Sequence, residues 1–165
     1  MPPGVAVMAS PYRILEEAPV VSAKLSGSVA QMSAARIQVP PSCDLTLGMV
    51  CVDKETPGRS VWSMTADERF TNPSGVIQGG FLTAFADSAM GAAAVTHARG
   101  RKVFVANAEL KISFLAAVQP GTPLVCVAEV ISGGSRVAFV EATVTNDEER
   151  MVARISSTYL LRDRK

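Results

Sequence analysis

The spacing of hydrophobic and polar positions changes rhythm twice along this chain. From Leu45 the apolar residues are largely β-branched and closely spaced. They predict a strand over Thr46 to Asp53, a turn at Thr56-Pro57-Gly58 and a second strand over Ser60 to Met64. A polar connection, Thr65 to Ser74, leads into an almost wholly apolar run that predicts one helix from about Gly80 to His97, with Gly100 as its stop. The period then returns to two. Along Lys102 to Phe114 the residues Phe104, Ala106, Ala108, Leu110, Ile112 and Phe114 share one face; Asn107, Glu109, Lys111 and Ser113 share the other. After a turn at Gln119-Pro120-Gly121, Leu124 to Ile131 reads as a strand covered on both faces. Ser132-Gly133-Gly134-Ser135 reads as a hairpin turn with its glycines at positive φ. Arg136 to Thr145 and Met151 to Arg162 are the last two strands, joined by the polar turn Asn146 to Glu149.

Two strands, one long helix and four more strands define an α+β class. A helix apolar on nearly every side needs cover around most of its circumference, which a curved antiparallel sheet wrapped around it supplies. Pairing edge to edge with a second copy would protect an exposed sheet edge. The first 41 residues read as an N-terminal extension, punctuated by Pro2, Pro3, Pro11, Pro19, Pro40 and Pro41. Leu25, Val29, Met32 and Arg36 fall at helical spacing there, so the extension is either a short amphipathic helix or a partly ordered arm. Residues 42–165 are then the folded domain.

Composition narrows the function classes. A chain of 165 residues with 48% hydrophobic and 19% charged residues is an ordered globule with one core. A formal net charge of +1 argues against nucleic acid or an anionic membrane surface as partner. The apolar run from Gly79 to Ala98 is not read as a membrane span, because Asp87 stands in its middle. Cys43, Cys51 and Cys126 are odd in number and scattered, which disfavours a disulfide or metal framework; with no signal-peptide pattern at the start, a reducing cytoplasm is expected.

The candidate chemistry gathers in Asn72 to Gly91, NPSGVIQGGFLTAFADSAMG. A carboxylate within an oily helix is costly unless it is paired, hydrogen-bonded or used, so Asp87 is either a structural acid bonded to a neighbour or a reactive group. Gly79 and Gly80 leave backbone N–H groups bare at a helix start, which suits an oxygen developing negative charge. Thr83 and Gly91 lie one turn either side of Asp87; Thr83 is placed to hydrogen-bond it, and Gly91 with Ala94 to leave room for an acyl chain. Asn72 before Pro73 reads equally as a turn residue. His97, the only histidine, lies ten residues beyond Asp87, about 15 Å along one helix, too far to pair with it. Arg136 just past the hairpin turn is a candidate phosphate contact, together with Arg99, Arg101 and Lys102.

The pattern N-x5-Q-G-G-x6-D-x3-G, followed by NAELKISFLAAVQPG and the strands RVAFVEATV and MVARISSTYLL, resembles the hotdog-fold acyl-CoA thioesterases of the phenylacetate-degradation type over roughly Leu45 to Leu161. The resemblance implies hydrolysis of an acyl-CoA thioester, with coenzyme A as part of the substrate and no separate cofactor or metal. It implies Asp87 as nucleophile or general base, the Gly79 N–H as donor to the thioester carbonyl, and Asn72 as an aid in placing water or the acid. Asn107 falls where related enzymes often carry Ser or Thr. The site would form between subunits of a homodimer, with dimers commonly paired into tetramers. One position departs from the family, which usually has histidine where this chain has Gln78; an amide still donates a hydrogen bond but does not titrate near neutrality. A hotdog hydratase or dehydratase, and a non-catalytic acyl-CoA binder, are the competing classes.

Overall fold

The apolar run forms one helix, α2 (Gly79–His97), preceded by a short helix α1 (Ser42–Leu47). Six strands complete the chain: β1 (Val50–Asp53), β2 (Arg59–Thr65), β3 (Val103–Phe114), β4 (Pro123–Gly133), β5 (Val137–Asn146) and β6 (Met151–Asp163). The structure is a computed structural model that describes residues 39–164. The helix suggested by Leu25, Val29, Met32 and Arg36 lies outside the described residues.

All neighbouring strands are antiparallel, in the order β1-β2-β4-β5-β6-β3. The chain therefore leaves the sheet after β2, runs through α2, and re-enters at the far edge as β3 beside β6. The helix packs on the face formed by Leu124, Cys126 and Ala128 of β4, Val140 and Ala142 of β5, and Ile155 of β6, all buried. This is the hotdog arrangement expected from the element order.

Several expectations need correction, four of them in the placing of residues along the chain. Thr46 and Leu47 end α1 rather than begin a strand, and Gly48 at φ 66° reverses the chain before β1. The glycine accepts a left-handed backbone that closes the helix, and Val50 is the first residue free to pair. At the other end of α2 the cap is Ala98; Gly100, at φ 85°, belongs to the turn beyond. In the β4–β5 hairpin neither Gly133 nor Gly134 has a positive φ. A Cβ at Gly133 would lie 2.8 Å from His97 Nε2, so the imidazole would have to shift to admit it.

The fourth correction bears on the site. In β3 the pairing with β6 runs Asn107↔Tyr159 and then Glu109↔Thr158, so Ala108 is an extra residue. A bulge of one residue exchanges the two faces of a strand. Leu110 and Ile112 pack on the core as expected, but before the bulge it is Val103 and Val105 that do so, and Phe104 is 48% exposed. Asn107 is carried to the inner face with them.

Helix α2 is also less enclosed than its composition suggests. Leu82, Phe85, Ala86, Ala89, Met90, Ala93 and Ala94 form one buried stripe at helical spacing, while Val95 is 47% exposed. The other face looks apolar in sequence because it is built of Ala, Gly, Ser and Thr. Likewise β4 is covered on its inner face only, and Ile131 is 60% exposed.

Cys126 sits in the middle of this core with its thiol pushed up to about 12 by burial, whereas Cys43 is exposed. At pH 8 a soluble disulfide reagent should label Cys43 in the native protein and reach Cys126 only after denaturant is added. Rapid native labelling of Cys126 would contradict the packing described.

Candidate active site

The two ends of the NPSGVIQGGFLTAFADSAMG stretch are built differently. At its start, a one-turn 3-10 segment, Glu68–Phe70, precedes a tight loop closed by the Thr71↔Ile77 bridge. Asn72 shapes this loop: its Oδ1 accepts from the Ser74 N–H at 2.9 Å, and its N–H donates to the Val76 carbonyl at 2.8 Å. Gly75 supplies the left-handed residue at φ 76°. Asn72 therefore occupies its side-chain oxygen as a turn residue, and no contact joins it to Asp87 among the described residues.

The loop hands the chain to α2 through Gln78, whose N–H donates to the Phe70 carbonyl at 2.8 Å. Phe70 stacks on Phe81 with ring centroids 4.1 Å apart, fixing the start of the helix against the loop. Gln78 is the N-cap but its side chain makes no capping bond and is exposed. The N–H groups of Gly79 and Gly80 open the helix and so have no intrahelical acceptor. They face an open cleft of about 660 Å³ whose apolar walls include Leu82, Ile112, Phe114 and Val118. The Phe114 ring lies over Gly79 so closely that a Cβ there would stand 2.7 Å from its Cζ. A cleft with oily walls and a bare helix N-terminus suits an acyl group whose carbonyl oxygen turns towards the amides.

Two turns further on, Asp87 is held from the sheet. Asn107 Nδ2 donates to its Oδ1 at 2.6 Å, and the Tyr159 hydroxyl lies 2.5 Å from the same oxygen and 2.9 Å from the Asp87 carbonyl. Ser157 Oγ lies 3.0 Å from Asn107 Oδ1 and 2.6 Å from the Glu109 carbonyl, which orients the amide with its NH2 towards the acid. Oδ2 of Asp87 accepts no hydrogen bond among the described residues, so the carboxylate is tethered by one oxygen and open at the other. Charge-assisted bonds of this kind are the stronger ones, each contributing about 1.5–3 kcal/mol.

Several expected contacts are placed otherwise. The Thr83 hydroxyl donates to the Gly79 carbonyl at 2.9 Å, one turn back, rather than to Asp87. Gly91 lies beside Tyr159, whose Cε1 is 3.8 Å from where its Cβ would be, an ordinary van der Waals distance, and Ala94 is fully buried. Arg136 is exposed in the β4–β5 hairpin, at the same end of the molecule as His97 and away from the glycine step. The structure thus brings Asp87, Asn107 and Gly91 together, groups Gly79, Gly80, Gln78 and Thr83 at the cleft, and leaves Asn72 and Arg136 apart from both.

Sequence reasoning missed Tyr159 and Ser157, though their signal was present. In β6 the inward positions read Ile155, Ser157, Tyr159, Leu161, two hydroxyls on an otherwise apolar face. It also missed Asp44, a buried carboxylate that accepts from the Ser88 hydroxyl at 2.8 Å and anchors α1 beside Asp87. The exposed Cys43 thiol joins that cluster; the Ser88 hydroxyl lowers its pKa, but burial, Asp44 and Asp87 raise it, and the net shift is upward.

Comparison with known proteins agrees with this geometry. Residues 74–153, which carry the glycine step, Asp87 and Asn107, match the model of the Thioesterase superfamily. Human acyl-coenzyme A thioesterase 13 is 25% identical over 100 residues, covering 61% of this chain and 70% of its own. The Escherichia coli PaaI protein, from the phenylacetic acid degradation operon, superposes with a TM-score of 0.71 at 21% identity, covering 76% of this chain and 88% of that one. A Streptococcus mutans protein bound to acetyl-CoA superposes with a TM-score of 0.66 at 18% identity, over 79% of this chain and 96% of its own. The fold is the hotdog fold of these neighbours, and the matches to thioesterases are those of a thioester hydrolase. The match to the Thioesterase superfamily spans residues 74–153, and the PaaI protein is among the chain's structural neighbours.

The tyrosine clamp has a consequence for stability. Burial, and then the Asp87 carboxylate that accepts its proton, hold the Tyr159 phenol well above its ordinary value of 10.0. A group with a raised folded-state pKa gives stability that is present below its unfolded value and is lost as pH rises towards the folded one. Denaturation midpoints measured upward from pH 10 should therefore fall in the wild type and fall less steeply in Tyr159→Phe. Equal slopes would show that the phenol is not held in this way.

Proposed function

We propose that this enzyme hydrolyses an acyl-CoA thioester to a carboxylic acid and free coenzyme A, with Asp87 as the reactive acid and the Gly79 N–H as oxyanion donor. The observation that carries the reading is the asymmetric hold on Asp87, tethered through Oδ1 and open at Oδ2. As general base, Oδ2 takes a proton from water while the water oxygen bonds to the thioester carbonyl carbon. The tetrahedral oxyanion is met by the Gly79 N–H and the helix N-terminus, and its collapse expels the thiolate, which recovers the proton. As nucleophile, Oδ2 itself bonds to that carbon and releases the thiolate; water then opens the mixed anhydride. Neither route needs a metal or a cofactor beyond the coenzyme A of the substrate.

Gly79 and Asp87 lie eight residues apart on one helix, about 12 Å, which is too far for both to act on one carbonyl. Two copies in a homodimer, each supplying one end of the motif to a shared site, resolve the mismatch. The half-open face of α2, the long edge strand β3 and the exposed Phe104, Phe139 and Leu160 suit such an assembly and its further pairing into a tetramer. Among the described residues no helix is long and apolar enough to cross a membrane, and three free thiols accord with a reducing cytoplasm.

Gln78 favours a second reading, a non-catalytic acyl-CoA binder, since its exposed amide makes no capping bond where a histidine is usual. The hydratase alternative has no support in the geometry: His97 ends the helix beside Gly58 and Gly133, with no polar contact to Asp87 among the described residues.

Thiol release from a panel of aryl- and fatty-acyl-CoA substrates separates the readings. The wild type should turn over at least one of them, and Asp87→Asn should lose roughly 10²–10⁴-fold in rate. Full turnover by Asp87→Asn would remove the acid from the mechanism, and tight thioester binding without turnover would favour the binder. Gly79→Ala, which forces Phe114 aside, should cost about 10²–10³-fold with Asp87 intact, the loss typical of a disturbed oxyanion donor. Incorporation of oxygen-18 from water into Asp87 in a single turnover marks the anhydride route, with water opening the anhydride at the Asp87 carbonyl.

A further inference from the structure

We infer that Tyr159 is the positioning residue for Asp87, seated by Gly91 and paired with the Asn107–Ser157 arm, and that it determines which carboxylate oxygen reacts. The inference rests on the hydrolase reading above and assigns a role to a residue outside the glycine-acid motif.

Tyr159 reaches the acid from β6, and the residue is 2% exposed. Its hydroxyl bridges two atoms of one residue, Oδ1 at 2.5 Å and the main-chain carbonyl at 2.9 Å. A single donor shared between a side chain and its own backbone restricts the side-chain torsion as well as the oxygen's position. Asn107 Nδ2 meets the same Oδ1 from β3 at 2.6 Å and lies 3.4 Å from the tyrosine oxygen. Two donors on one oxygen draw negative charge to Oδ1 and leave Oδ2 as the atom that can approach water or substrate. A carboxylate free to rotate would present either oxygen, and most of its orientations would be unproductive.

The seat for this tyrosine is part of the helix sequence. At Gly91, one turn beyond Asp87, a Cβ would already stand in contact with the ring, at 3.8 Å from Cε1 and 4.0 Å from the hydroxyl oxygen. Any longer side chain would occupy the space through which the hydroxyl reaches the acid. The D-x3-G spacing therefore sets a small residue directly beside the Tyr159 ring. The phenol also stays a donor where an ordinary tyrosine would ionise, because burial and then Asp87 raise its pKa.

The test is steady-state kinetics on the best acyl-CoA of the panel, with wild type, Tyr159→Phe, Gly91→Leu and the double variant. Tyr159→Phe, which keeps the ring and its packing, should lower kcat roughly ten- to hundred-fold, the loss expected for one hydrogen bond to a charged group, with KM within about three-fold. Gly91→Leu should lower kcat comparably, and the double variant should be no worse than the poorer single one, since both remove one contact. A second readout is the absorbance of tyrosinate: replacing Asp87 by Asn should let Tyr159 ionise at lower pH than in the wild type. Tyr159→Phe with wild-type kcat, or a loss confined to KM, overturns the inference, as does full multiplicativity of the two variants. Failure of the hydrolase reading looks different, for then the wild type releases no thiol or Asp87→Asn remains fully active.

Discussion

Everything in this structure depends on how closely α2 lies against its sheet. The contact is made of small residues on both sides, Ala86, Ala89, Ala93 and Ala94 from the helix against Ala128, Ala138 and Ala142 from the strands, all of them buried. Small facing side chains let the helix backbone come within reach of polar groups on the sheet, and three bonds take advantage of it. Ser60 Oγ donates to the Ala89 carbonyl at 2.6 Å, the Gly58 N–H donates to Thr96 Oγ1 at 3.1 Å, and Tyr159 reaches the Asp87 carbonyl. Larger core residues would bury more apolar area but would lift Asp87 away from the strand residues that hold it. The alanine-rich composition that could suggest a membrane helix is thus the condition for a polar site beneath it.

The overall architecture was legible because it rests on period and order, which local sequence carries well. A long apolar run with one acid, flanked by alternating segments, leaves few layer arrangements that bury it. Faces were harder to read, and β3 shows why. Strict alternation placed Asn107 with Glu109 and Lys111, on the side away from the helix. The bulge at Ala108 reverses the faces at that point, and no residue type in VFVANAELKISF announces it. One extra residue moves Asn107 from outside to the side of Asp87. The same limit applies to Gly133, where the sequence suggests a left-handed turn and the structure places His97 close beside it.

Site residues divide along a similar line. Those within the continuous motif, the glycines and Asp87, declared themselves through an acid in an oily helix and a bare helix start. Those contributed by distant strands did not, since Tyr159 is 72 residues from Asp87 and Ser157 is 50 residues from Asn107. Nothing local relates them. Thr83 illustrates the opposite error: adjacency on the helix was read as contact with the acid, yet Thr83 bonds back to Gly79.

The two ends of the helix motif differ in character. At its N-terminus the amides of Gly79 and Gly80 carry the positive end of the helix dipole into a cleft with apolar walls. Two turns on, the carboxylate stands with one oxygen committed to the sheet and the other unbonded. Within one chain these halves cannot meet, for the helix is a rigid spacer of fixed rise. That rigidity is useful in a pair of chains. If two helices lie antiparallel across a shared face, the separation that keeps the halves apart in each copy sets the spacing at which the partner's acid meets the glycine step, twice over. Ala92 is small and half-buried on the side of α2 away from the sheet, and Val95 on that side is exposed. The same small-residue design that brings the sheet to one side of Asp87 leaves its Oδ2 unbonded on the other.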